Sequence, residues 1–176
     1  MPKIIENVRG MLMDEAKRQI AEQGYESVTI RSIAKGCSLG LGTFYNYFKS
    51  KDMLVASFLL EDWQNRIVQV NEKSRGEADP MVVVKYIYDE LKDFTESHNS
   101  IFVSPTAIKS FNNTVSGYHK VLRAQIAEPI RTACVTGGYE NCDFLAQFVA
   151  EATLTWTVGK KSFDELSPIL IKLFIK

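Results

Sequence analysis

The chain has little of what builds a metal site, a disulfide framework or an active site. Its three cysteines, Cys37, Cys134 and Cys142, form no Cys-x-x-Cys pair. An odd, scattered set suits a reducing, cytoplasmic compartment better than a disulfide scaffold. The two histidines, His98 and His119, have no second ligand at helical spacing, so no metal is expected, and no other cofactor. No apolar run reaches the roughly 18 residues of a membrane span. The opening Met-Pro-Lys-Ile-Ile-Glu-Asn lacks the apolar core of a secretory signal. No nucleophile–base pair and no phosphate-cradling glycine loop is present, which argues against an enzyme. Strand-like alternation is essentially absent, so the expected fold class is all-α.

Net charge is also lacking, at +0, but the balance is uneven along the chain. Residues 1–51 carry eight Lys/Arg against five Asp/Glu, while the remainder carries thirteen against sixteen. A modestly basic N-terminal part on an acidic body is compatible with a DNA partner. Hydrophobic residues make up 45% of the chain, enough for a packed core.

Helix signals run the whole length. Ile5, Val8, Leu12, Ala16 and Ile20 form one apolar stripe over about 4–23, stopped by Gly24. Thr29 is a good N-cap for a short helix over 30–36, with Val28 and Ile33 placed as a hydrophobic staple. Residues 38–40 form a turn before a helix over 41–47. Ser50 starts a long helix to about 73, and Asp79-Pro80 and Ser104-Pro105 are two further starts. The second of these helices is expected to end near 112, before a break at Asn112-Asn113. The next spans about 115–135, bent at Pro129 and stopped by Gly137-Gly138. Asn141 is placed to cap a helix over 142–158. Ser162 and Glu165 have capping-box spacing before the last apolar run, whose true start is expected at Ser167-Pro168.

Within residues 29–51, two short helices flank a tight turn, and the second is dense in hydroxyl, amide and aromatic side chains. The strings Ile20-Ala21-Glu22-Gln23-Gly24-Tyr25, Val28-Thr29-Ile30-Arg31-Ser32-Ile33-Ala34 and Gly42-Thr43-Phe44-Tyr45-Asn46-Tyr47-Phe48-Lys49-Ser50-Lys51 resemble, without insertions, the N-terminal DNA-binding domain of TetR-family regulators. The resemblance covers residues 12–58. It implies a three-helix DNA-binding head with a helix-turn-helix, followed by a helical-bundle body for ligand binding and dimerisation. The expected division is 1–49 and 50–176.

The resemblance also implies the contacts. Thr43, Tyr45 and Tyr47 are expected to offer hydroxyls to phosphates or base edges, with Gly42 and Asn46 on the same recognition helix. Arg31 is expected at a guanine edge or a phosphate. Thr29 and Lys51 are expected at phosphates beside helix N-termini. Leu41 is apolar where the family often has a base-contacting side chain, so it can read only a thymine methyl. The turn, Cys37-Ser38-Leu39-Gly40, departs from the family's usual Ala-Gly-Val-Ser. Gly36 and Gly40 are expected to loosen it.

The helix over 142–158 has two apolar stripes, Leu145/Val149/Ala152/Trp156 and Phe144/Phe148/Thr155. A helix apolar on two sides is buried on two sides. The first stripe is taken as the dimer interface. The function expected is a homodimeric regulator, by resemblance a repressor, that binds a palindromic operator and is released by a small-molecule effector. The alternative is a ligand- or partner-binding protein whose head has lost DNA binding.

Overall fold

The computed structural model describes residues 6–114 and 116–175, and the side chains of these except 111–119. Ile5 and the His119 side chain lie outside the described residues. Ten α-helices and no strand occur among the described residues. They are α1 (Val8–Gln23), α2 (Ile30–Gly36), α3 (Leu41–Tyr47), α4 (Lys51–Lys73), α5 (Pro80–Ser97), α6 (Asn99–Phe102), α7 (Pro105–Thr114), α8 (Ser116–Thr136), α9 (Cys142–Val158) and α10 (Phe163–Leu170). A 3₁₀ turn, Ile171–Phe174, follows.

The caps explain most of the boundaries. The Ser50 hydroxyl accepts from the Met53 amide at 3.1 Å, and the Asp79 carboxylate accepts from Met81 at 2.8 Å. Ser104 accepts from Ala107 at 3.1 Å, and Ser162 and Glu165 close a reciprocal capping box. One boundary each of α7 and α10 differs from the sequence expectation. α7 runs through Asn112-Asn113 to Thr114, while α8 holds Pro129 as a buried interior residue. α10 contains Pro168 as an interior residue, because the Ser162 capping box starts the helix earlier. Asn141 occupies the N-cap position of α9 in a left-handed conformation (φ 53°) but makes no side-chain cap bond.

Two compact units are formed. The first holds residues up to 61 together with 98–116; the second holds 62–97 and residues from 117 onward. Residues 98–116, expected in the regulatory part, thus pack with the head. The first unit's core joins Leu12, Ala16 and Ile20 of α1 to Ile33 of α2, Phe44 of α3, Phe58 of α4, Ile101 of α6 and Ala107 of α7. Polar contacts reinforce this. Asp52 accepts hydroxyl hydrogen bonds from Tyr25 and Ser110, and Ser104 donates to Glu26 at 2.6 Å. Burial first, and then the Asp52 carboxylate, push the Tyr25 phenol well above its ordinary pKa.

In the second unit α5 packs along α9. Val83, Val84, Ile87 and Leu91 of α5 and Ala146, Val149, Ala150, Thr153 and Thr157 of α9 are buried. The small alanines at 146 and 150 let the two helices approach closely. Thr153 and Thr157 bond their hydroxyls back to the carbonyls of Val149 and Thr153, so neither buried hydroxyl is left open. At the body's end of α4, Trp63 donates to Gln125 at 3.1 Å and meets Phe94 edge-on. Arg66 joins Asp62 and Glu90, each at 3.2 Å.

Candidate nucleic-acid interface

The α2–turn–α3 segment is built from its caps inward. Thr29 and Ser32 form a reciprocal capping box at the start of α2. Ser32 also donates to Gln19 of α1 at 2.7 Å, and the Gln19 amide donates to the Ser32 carbonyl and to Glu15. Gln19 is buried, so this polar lock fixes how α2 sits on α1. Hydrogen bonds from Arg18 and then Gln19 hold the Glu15 carboxyl below the ordinary carboxylate value.

The turn is not loosened by glycine. Gly36 is the last residue of α2, and a Cβ there would come within 2.1 Å of a Glu15 carboxylate oxygen. Glycine at 36 therefore makes room for the lock. Gly40 has ordinary extended backbone (φ −73°) as the N-cap of α3. The left-handed position is Ser38, with φ 56°. Its amide bonds to the Lys35 carbonyl at 2.9 Å, and Leu39 bonds to Ala34 at 2.8 Å, the two bonds of a Schellman motif. A residue with a Cβ costs about 1 kcal/mol in that conformation. Ser38→Gly should raise the stability of the head by up to about 1 kcal/mol in urea unfolding.

α3 presents two faces. Phe44 is fully buried, packed against Phe48 at 6.0 Å between ring centres. Leu41, Gly42, Tyr45, Asn46 and Tyr47 are exposed, and Thr43 is half-buried. Tyr45 and Tyr47 are 54% and 47% exposed, which is high for aromatic side chains in so apolar a head. Thr29 and Arg31 are exposed at the start of α2, and so are Lys35 at its end and Lys49 just after α3. Polar hydroxyls, an amide and three cations are thereby brought to the two helices and their flanks.

Lys51 also has partners inside the head. Its ammonium donates to the carbonyls of Tyr25 (2.8 Å) and Val28 (2.9 Å) and lies 4.0 Å from the centre of the Tyr25 ring. Burial lowers its pKa, against the opposing pull of Asp52 and Glu26. Two of its three donors tie α4 to the loop before α2, so Lys51 is a bracket of the head.

Of the α9 stripe expected to form the dimer interface, Val149 is 0% exposed within this chain, while Leu145, Ala152 and Trp156 are half-buried. The open side carries Phe144 (69% exposed) and Phe148 (51%), with rings stacked 6.2 Å apart. Among the described residues no helix is long and apolar enough to cross a membrane, and no group of three or more His, Cys, Asp or Glu could hold a metal ion.

The polar lock and the Lys51 bracket are the features that sequence reasoning missed. Gln19 gave no signal in the sequence. Nor did the carbonyl partners of Lys51, which lie more than twenty residues away along the chain.

Known proteins agree with this geometry. Residues 12–58 match the family described as bacterial regulatory proteins, tetR family. The uncharacterized HTH-type transcriptional regulator YvdT of Bacillus subtilis (strain 168) is 29% identical over 103 residues, 58% of this chain and 53% of its own length. The chain thus spans about half the length of that relative, and 35% of the regulator UidR of Escherichia coli. Over the whole fold, a TetR-family transcriptional regulator from Haemophilus influenzae RD superposes with a TM-score of 0.57 at 15% identity, covering 93% of this chain and 92% of that one. FadR from Bacillus subtilis, in complex with stearoyl-CoA, gives 0.54 at 19% identity, covering 95% and 97%. Residues 12–58 thus match the tetR-family DNA-binding domain, and the all-α fold is shared with solved TetR-family regulators. The proteins it matches are transcriptional regulators rather than enzymes.

Proposed function

We propose that the chain is a homodimeric transcriptional repressor that holds a palindromic operator through α2 and α3 and releases it on binding a small molecule. The observation that carries this reading is the outward face of α3, where Leu41, Gly42, Tyr45, Asn46 and Tyr47 are exposed over a buried Phe44. A helix that leaves two tyrosines in solvent beside Arg31, Lys35 and Lys49 suits a groove lined with phosphates. Thr29, Arg31, Thr43, Tyr45 and Tyr47 are the proposed phosphate and base contacts, with Leu41 against a thymine methyl.

Gly42 supports the same face. A Cβ at Gly42 would meet nothing within 4 Å inside the protein, so no internal packing requires glycine there. Glycine inside a helix costs about 0.5–1 kcal/mol against alanine. A close approach of the α3 backbone to DNA accounts for it. Gly42→Ala should therefore stabilise the head by about that amount in thermal unfolding while weakening operator binding in a gel-shift titration.

A dimer is needed to place two recognition helices about 34 Å apart on one face of DNA. The surface proposed for it is the open apolar side of the body. Phe144, Leu145, Leu173 and Ile175 there line an open depression of about 660 Å³ beside Phe148. The FadR structure holds stearoyl-CoA, and the RolR structure, similar at a TM-score of 0.58, holds resorcinol. By analogy the effector is a small, largely apolar molecule taken up by the body. It would act by binding the DNA-incompetent arrangement more tightly, shifting the population through α4, which runs from the head into the body.

The deciding experiment titrates the full chain onto duplexes selected from its source genome, over a range of salt. A preferred palindrome, bound more weakly as salt rises, is expected. Equal binding to random duplex would overturn the reading. Arg31→Ala separates two roles for that residue. A loss of about 1–3 kcal/mol at one base position means base reading, and a uniform loss with a salt slope shallower by about one means a phosphate contact.

A further inference from the structure

Glu15 and Gln19 are four residues apart, so both lie on one face of α1. Their contacts on α2 are four residues apart as well. Gln19 grips Ser32 in the first turn, and the Glu15 carboxylate fills the space that a Cβ would take at Gly36, the last residue. The grip is two-sided. The Gln19 amide nitrogen donates to the Ser32 carbonyl at 3.0 Å, while its oxygen accepts from the Ser32 hydroxyl at 2.7 Å. The other amide hydrogen goes to Glu15 at 2.7 Å, and Arg18 holds the two Glu15 oxygens at 2.7 and 2.9 Å. Ile33 and Ala34 bury the apolar side of α2 in the same core as Leu12 and Ala16. Apolar attraction is non-directional and by itself sets no angle between the helices. Paired hydrogen bonds to one residue do. Thr29 is bound into the same grip, because its hydroxyl accepts from the Ser32 amide at 3.0 Å and its amide donates to the Ser32 hydroxyl at 3.1 Å.

We propose that Gln19 is a positioning residue for DNA binding, which acts through Ser32 to fix the angle at which α2 carries Thr29 and Arg31. The inference rests on the reading of α2 and α3 as the DNA-holding pair, and it adds a residue that touches no DNA itself. Gln19 is 4% exposed. A buried amide costs free energy that an apolar side chain of the same size does not, unless every polar atom finds a partner. Here each one does, so the amide admits one seating of α2 on α1 and penalises the others. Turning α2 about its axis would break the grip and swing Thr29 and Arg31, both exposed, away from the phosphates.

The test uses the full chain and the palindromic duplex it prefers among fragments of its source genome. Gln19→Met keeps the size of the side chain and removes both halves of the grip. The capping box should survive, because the Ser32 hydroxyl has a second acceptor in the Thr29 carbonyl at 2.8 Å. Circular dichroism should show the variant fully folded at the assay temperature, while its affinity for that duplex falls about tenfold. A merely structural role would lower the unfolding midpoint and leave the affinity of the folded chain as it was. Ser32→Ala keeps the Thr29 cap, since the Ser32 amide supplies it, and should weaken binding in the same direction. The double variant should bind about as the weaker single one, because either change opens the same grip. Unchanged affinity in the folded Gln19→Met chain, or losses that add in the double variant, would overturn the proposal. If Gln19→Met unfolds, Ser32→Ala carries the test, and unchanged affinity there overturns it equally. A wild-type chain that prefers no duplex is a distinct failure, visible before any variant is made: it removes the repressor reading and this inference with it.

Discussion

Val149→Asp should unfold the body, and Phe148→Asp, one residue away, should leave it folded. Val149 is completely buried against α5, in a stripe with Ala146, Ala150, Thr153 and Thr157. An aspartate there would place a carboxylate with no partner in an apolar contact, at a cost of about 3 kcal/mol or more. That is a large share of the roughly 5–15 kcal/mol that holds a typical domain together. Urea unfolding followed by circular dichroism should show the loss directly. Phe148 is half in solvent and stacked on the still more exposed Phe144. Its replacement by aspartate should keep the helical signal and the unfolding midpoint. If the open face is where two copies meet, the same variant should halve the mass measured by light scattering, because a charge then faces an apolar partner surface. An unchanged mass for Phe148→Asp would remove this face from the dimer.

Phe44→Ala should cost about 3–5 kcal/mol, the range for deleting a large buried ring. Phe44 is the one fully buried side chain of α3, and its ring contacts both Tyr45 and Phe48. α3 is only seven residues long and has no side-chain cap at its N-terminus. A helix that short is not stable alone in water, so its fold depends on this anchor. DNA binding should be lost together with the head's cooperative unfolding. Tyr47→Ala, by contrast, should weaken DNA binding with little change in unfolding, because the side chain is 47% exposed. The pair separates residues that build the recognition helix from residues that read with it.

Most helix starts were legible in the sequence because each carries its own chemistry. Thr29, Ser50, Asp79-Pro80 and Ser104-Pro105 all mark helix N-termini, and a cap is a local interaction that needs no knowledge of the fold. The two faces of α3 were legible for a similar reason, since Phe44 and Phe48 are four residues apart. What stayed hidden is tertiary. α9 is apolar nearly all round, and periodicity does not say which side meets α5. The answer lay in the small residues Ala146, Ala150 and Thr153, which allow close packing. The bracket at Lys51 stayed hidden because its partners, the carbonyls of Tyr25 and Val28, are more than twenty residues away in sequence. The left-handed Ser38 was also hidden, since glycines on either side drew the strain argument to themselves.

The head borrows part of its core from far along the chain: Ile101 and Ala107 are buried in it, and Ser104 and Ser110 hold Glu26 and Asp52. This has a consequence for the order in which the protein comes off the ribosome. Synthesis proceeds from the N-terminus at about 5–20 residues per second. The helix-turn-helix is complete as sequence by residue 51, yet part of its apolar core stays uncovered until residues 98–110 emerge, about ten seconds later at the slower rate. The nascent chain must carry an unfinished DNA-binding head through that interval, together with nearly all of α4 and α5. A fragment cut at residue 61 would remain in that unfinished condition for good.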